Sequence, residues 1–200
     1  MTDRGKRSGG ISATELMAQL KSDPDYQRKV QAAEAERQVK IQELRRAEQP
    51  IVADLRSAGV HVDSVWDLVN TAEPYPTALP ILLEHLERGG YPDRVMESLG
   101  RALAVKPAVV FWDRLKALYL APRTVGEEEG AALALAAIAT SAQLDDLVDF
   151  LSVKERNESR IYFIRPILVV GRARGREVVE ALRDDLVLGK EATAQLSRRK

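Results

Sequence analysis

The chain has 200 residues, 45% of them hydrophobic and 30% charged, enough for one folded domain with an arm and a continuous core. Its formal net charge is zero, which gives no global pull toward nucleic acid or an anionic membrane, and it has no cysteine, which excludes disulfides and thiolate metal sites. Only 5% of residues are aromatic, so aliphatic side chains and alanine must do most of the packing.

Residues 1–11 are rich in Gly, Ser, Lys and Arg and nearly devoid of apolar side chains. They read as a disordered basic N-terminus. No apolar core follows them, so no secretory signal is expected and the expected location is cytoplasmic. Ser12 or Thr14 can cap a short helix, and Asp23-Pro24 restarts the chain as a cap and a first helical position. Residues 12–58 form the expected helical arm. Its main part is one long helix over residues 25–58, which Pro50 should bend or break and Gly59 should end. One face of that helix carries Val30, Ala33, Arg37, Ile41, Leu44, Glu48, Ile51 and Leu55 at spacings of 3 and 4. Arg37 and Glu48 interrupt this seam, so the expected state is a monomer or weak self-association through this helix.

Residues 59–76 read as a short helix, capped by Asp63, and a rigid connecting turn. From residue 77 to 200, helical pairs recur about every 30–35 residues. The pairs are predicted at 77–88 with 92–105, 108–120 with 126–140, 142–153 with 158–170, and 175–188 with 190–199. Pro107, Pro122 and Gly171 fall in the expected turns. No segment alternates with period two, so the chain is expected to be all-α. The most apolar stretch, residues 161–170, contains Arg165 and is too short to span a bilayer. Leu82, Leu86, Leu99, Leu103, Leu115, Leu118, Leu133, Leu147 and Leu168 are the expected core between stacked helices, and Trp66 is expected at the joint between the arm and the first pair.

Tyr91-Pro92-Asp93-Arg94-Val95 followed by Arg101-Ala102-Leu103 resembles the HEAT repeat family. The third pair keeps Glu158-Ser159-Arg160-Ile161, and the second reads Gly126-Glu127-Glu128-Glu129-Gly130 in place of the arginine. The resemblance implies a short right-handed α-solenoid whose second helices line the concave side. It also implies a scaffold that binds proteins.

On that reading the partner surface is Arg94, Glu97, Arg101, Glu128, Arg160 and Arg165, and the function is non-enzymatic protein–protein interaction as a scaffold, adaptor or inhibitor-like partner. The alternative is nucleic-acid binding through Lys154, Arg156, Arg160, Arg165, Arg172, Arg174 and Arg176, a basic stretch whose neutral reading is pairing with Glu177, Glu180, Asp184 and Asp185. A catalytic role on the same scaffold ranks third. His61 and His85 are expected at the surface, and no P-loop, nucleophile elbow or zinc-helix motif is present. Asp145, Asp146 and Asp149 could face Glu127 to Glu129 around a metal, but acidic residues at solvated helix faces are commonplace, so no cofactor is expected.

Overall fold

The computed structural model describes residues 11–198, and every regular element among them is helical. The segment 1–10, expected to be disordered, lies outside the described residues. Among those residues, no helix is long and apolar enough to cross a membrane. The described chain divides into two compact units, one ending at Glu43 and the other starting at Leu44.

The first unit holds α1 (Ala13–Ser22) and most of α2 (Pro24–Ala47). Ser12 caps α1: its hydroxyl accepts from the Glu15 N–H at 3.2 Å, and the Glu15 carboxylate accepts from the Ser12 N–H at 3.0 Å. Asp23 caps α2, accepting from the Asp25 N–H at 2.8 Å. Neither helix buries a single side chain, and Val30 and Val39 are exposed. Helices without tertiary packing are marginal in water. Amide exchange over residues 26–40 should therefore be fast, and that around Ile51 and Leu55 slow. Uniform strong protection across both stretches in a monomeric sample would contradict this.

In the second unit the expected long helix is broken. α3 (Gln49–Ser57) begins afresh with Pro50 in its first turn, where a missing N–H costs nothing. Ile51 and Leu55 are fully buried. The Glu48 carboxylate, at the break, accepts from the Ser64 hydroxyl at 3.1 Å and the Val65 N–H at 3.2 Å, at the start of α4 (Val65–Val69). Ser64, not Asp63, is the cap of α4: it forms a reciprocal pair with Asp67, while Asp63 is held by Arg56. Gly59 ends α3 at φ 83°, in the left-handed region.

The remaining helices are α5 (Ala78–Arg88), α6 (Asp93–Ala102), α7 (Trp112–Leu120), α8 (Val125–Ile138), α9 (Leu144–Ser152), α10 (Ile161–Glu180) and α11 (Gly189–Ser197). Short 3-10 segments precede α7 (Lys106–Phe111), α9 (Ser141–Gln143) and α10 (Lys154–Arg160). Two boundaries differ from expectation. Residues 158–160 belong to a 3-10 turn, so α10 starts at Ile161. Gly171 does not end that helix. Its neighbour Arg172 kinks it (φ 50°, ψ −123°), and the helix resumes to Glu180, absorbing the start of the expected fourth pair.

Neighbours in sequence pack on one another: α5 on α6, α7 on α8, α9 on α10, α10 on α11. The second helices also join the pairs, since α8 packs on both α6 and α10, and α4 packs on α6. Between α6 and α8 the backbones approach through glycine. Gly130 lies so close to α6 that a Cβ there would meet the Met96 carbonyl oxygen at 2.7 Å, and one on Gly126 would sit 2.5 Å from the Asp93 Cα. The Gly126 N–H donates to Asp93 Oδ1 at 3.0 Å, tying the two helix starts together. Arg123 adds a second tie. It bonds the buried Glu127 carboxylate through its side chain at 2.5 Å and donates to the Glu87 and Arg88 carbonyls at the end of α5.

Leu82, Leu86, Leu99, Leu103, Leu115 and Leu147 are buried as expected, and Leu118 and Leu168 pack at the core's edge. Leu133 is only half-buried; Leu135 takes the core position. Two residues on a helix differ by about 200°, so only one of them can face inward. A ring cluster of Trp112, Tyr119, Phe150 and Phe163 fills the space among α7, α9 and α10.

Candidate functional site

Spacings of 3 and 4 put Arg94, Glu97 and Arg101 on one face of α6. Glu97 is held from both sides. Arg101 donates to its Oε1 at 3.0 and 2.8 Å, and Arg94 donates to Oε2 at 2.7 Å. Burial alone would raise the Glu97 carboxyl, but the hydrogen bonds from Arg101 and Arg94 outweigh it and hold the group below the usual range.

The same surface continues across α8 and α10. Glu129 of α8 is half-buried, and its carboxyl is pushed up first by burial and then by the negative charges of Glu97 and Asp93. Tyr162, at the start of α10, is raised by burial and by the charges of Glu129 and Glu97. Beyond it Leu133, Ala136, Tyr162, Arg165, Pro166 and Val169 line a cavity of about 350 Å³. Trp66 of α4 borders the α6 side. It is 39% exposed, with the Arg101 guanidinium 5.9 Å from its ring centre. It is therefore a part-exposed residue beside α6 rather than a core one.

Two of the expected partner-binding residues lie elsewhere. Glu128, one residue from Glu129 and about 100° around the helix, turns into a polar knot. It accepts from the Ser159 hydroxyl at 2.5 Å and from Arg156 at 3.2 Å. Tyr119 joins this knot at 3.4 Å from Ser159, and burial pushes its phenol up to about 12. Arg160 is 4% exposed and donates to the Leu151 carbonyl at 2.8 Å, so it cannot greet a partner.

The basic stretch is likewise divided. Arg156 and Arg160 face inward, Arg174 pairs with Asp145 at 2.6 Å and Arg176 with Glu180 at 3.0 Å. Lys154, Arg165 and Arg172 are exposed. The seven cations thus do not line up as one strip. Phe111 and Trp112 also part company: Trp112 is buried and donates to Asp146 Oδ2 at 2.6 Å, while Phe111 is half-buried beneath Arg114.

Most of the acidic residues considered for a metal are engaged by protein groups, Glu128 by Ser159 and Arg156 as described above. Asp146 takes Trp112 and Lys116, Asp145 takes Arg174, and Glu127 takes Arg123. Among the described residues, no three His, Asp or Glu side chains gather to hold a metal ion.

His61 is exposed, but His85 is 1% exposed, against expectation. Its Nε2 lies 3.0 Å from Asp54 Oδ2 and its Nδ1 2.6 Å from the Tyr91 hydroxyl, linking α3 to α5. A carboxylate only accepts, so Nε2 carries the proton and Nδ1 accepts from Tyr91. Burial lowers the imidazole's affinity for a proton and the Arg88 charge lowers it further, against the raising effect of Asp54 and Glu84. The folded protein therefore disfavours the second proton that the unfolded chain accepts near pH 6.5. Stability from this group is whole above that pH and declines as pH falls from it toward the lower folded value. The urea midpoint should drop as the pH is lowered from about 7 through the unfolded value, and His85→Gln should flatten that slope. A midpoint that rises on acidification would refute the assignment. The carboxylates held low, Glu97, Glu127 and Asp146, lose their contribution only at lower pH, as it falls through their depressed values.

Trp66, Glu129, Tyr162 and Val169 were not foreseen as part of the surface carried by α6, α8 and α10. The signal for some of them was present: Glu129, Leu133 and Ala136 repeat the 4–3 spacing, and Tyr162, Arg165 and Val169 repeat 3–4. No family model, no curated protein and no solved structure matches the chain.

Proposed function

We propose that the chain is a non-enzymatic protein-binding module, a short right-handed α-solenoid of HEAT-like pairs that serves as a cytoplasmic scaffold or adaptor. What supports the solenoid is the packing order, in which each helix meets its pair mate and the second helices meet each other. The observation that carries the binding reading is the face of α6, α8 and α10. Trp66, Tyr162 and Val169 are 39%, 36% and 64% exposed there, with half-buried Leu133 between them. The charges beside them, Arg94, Glu97 and Arg101, already satisfy one another. A partner covering this face gains aromatic and aliphatic contact, and must itself supply a donor to the Glu129 carboxylate.

Site-specific photo-crosslinking tests this. A benzophenone side chain at Tyr162 or Val169 should yield one discrete protein adduct. The same group at Val110 or Leu186, exposed in the segments before α7 and α11 rather than on α6, α8 or α10, should not. Identical adducts from all four positions would remove the reading. Nucleic-acid binding through residues 154–176 is the weaker proposal, because Arg156, Arg174 and Arg176 already hold carboxylates.

A further inference from the structure

On both sides of the kink at Arg172, α10 lines a groove of about 770 Å³ with the end of α11. Four arginines rim it: Arg165, Arg172, Arg176 and Arg198. Its floor is apolar, made by Leu168, Val169 and Leu196. Elsewhere in this unit arginines mostly have carboxylates to bind, as Arg56, Arg94, Arg101, Arg114, Arg123, Arg156 and Arg174 do. Arg165, Arg172 and Arg198 form no ion pair with any described residue. Arg172 also holds a positive φ of 50°, a conformation that costs a non-glycine residue on the order of 1 kcal/mol. That kink sets Arg172 on the groove's rim beside Ala173 and Arg176, one turn from Leu168 and Val169.

We propose that this groove binds an acidic amphipathic peptide segment of a partner protein. Its carboxylates would pair with Arg165, Arg172 and Arg198 and its aliphatic side chains would lie on Leu168, Val169 and Leu196. Three observations choose this occupant. The three guanidiniums that meet no carboxylate among the described residues favour negative charge and suit carboxylates in two-point contact. The apolar floor would gain nothing from a small inorganic anion. No aromatic ring lines the groove for a base to stack on, which disfavours single-stranded nucleic acid. This inference does not rest on the α6–α8–α10 face, although Arg165 and Val169 border both surfaces.

The test is fluorescence anisotropy with the full chain and a labelled helical peptide built of alternating leucine and glutamate pairs. Its lysine-for-glutamate counterpart, an oligothymidylate and a DNA duplex serve as the other probes. The acidic peptide should bind saturably and weaken with salt. Arg165→Glu with Arg198→Glu should weaken it by about tenfold or more, and the milder Arg165→Gln with Arg198→Gln should fall between. Arg165 is exposed on α10 and Arg198 is exposed just past the end of α11, and an unchanged circular dichroism spectrum and melting point confirm that folding is intact. Trp66→Ala should leave the affinity unchanged. The proposal is overturned if the acidic peptide fails to saturate, if the lysine peptide binds equally, or if the arginine variants bind as the wild type does. It is also overturned if Trp66→Ala abolishes binding, or if only the nucleic acids bind and lose affinity in the variants.

Discussion

Gly100→Ala should destabilise the protein by about 3 kcal/mol, although the same change in an open helix stabilises by about 1 kcal/mol. Gly100 lies in α6 where that helix crosses α8, and a methyl group there would overlap the Gly130 carbonyl and Cα. The obstruction is backbone on both sides, so no side-chain rotation relieves it; the helices must move apart. Separation would also open the layer between Leu99, Leu103 and Leu135, all fully buried. The sign is what makes the result informative. A urea midpoint above that of the wild type would mean that α6 and α8 do not meet at this crossing. Gly130→Ala should show the same reversal, since its Cβ would meet the Met96 carbonyl.

Phe150→Ala should cost about 3–5 kcal/mol. Phe150 of α9 is 1% exposed and touches three rings: Trp112 at 6.3 Å between centroids, Tyr119 at 5.0 Å and Phe163 at 4.9 Å. Those rings come from α7 and α10, so truncation leaves a hole shared by two helical pairs rather than one. Rings are flat and stiff and collapse poorly into such a hole, which places the expected loss in the upper part of the usual range. Denaturant titration measures it directly. A loss below about 1 kcal/mol would show that this cluster is not packed as described.

Helix content was legible in the sequence because breakers and caps act locally. Ser12, Asp23, Pro24, Pro50 and Gly59 each do what their own chemistry dictates within a turn of their position. What faces what was harder, because one residue of drift rotates a helix by about 100°. That drift separates Glu128, bonded to Arg156 and Ser159, from Glu129, which sits near Glu97 and Tyr162. The expected helix start at residue 158 lies within a 3-10 turn, and Arg160 within it is buried. The close crossing of α6 and α8 is a third case. The stretch Gly126-Glu127-Glu128-Glu129-Gly130 looked like a departure from the repeat, yet its two glycines are what lets the helices touch. His85 shows the same limit from the other side. Its partners, Asp54 and Tyr91, lie 31 and 6 residues away, and no local pattern announces a bond of that span.

The chain has two tryptophans, and they occupy opposite environments. Trp112 is 6% exposed, stacked on Phe150 and bonded to Asp146; Trp66 is 39% exposed beside Arg101. The protein therefore carries two built-in fluorophores with separable duties. Emission from Trp112 should be blue-shifted, hidden from acrylamide and responsive only when the ring cluster melts. Emission from Trp66 should be red-shifted, readily quenched and altered when anything lands on the α6 face. With Trp66→Phe and Trp112→Phe as single-colour versions, occupancy of the surface and integrity of the interior can be followed in one cuvette without attaching a dye.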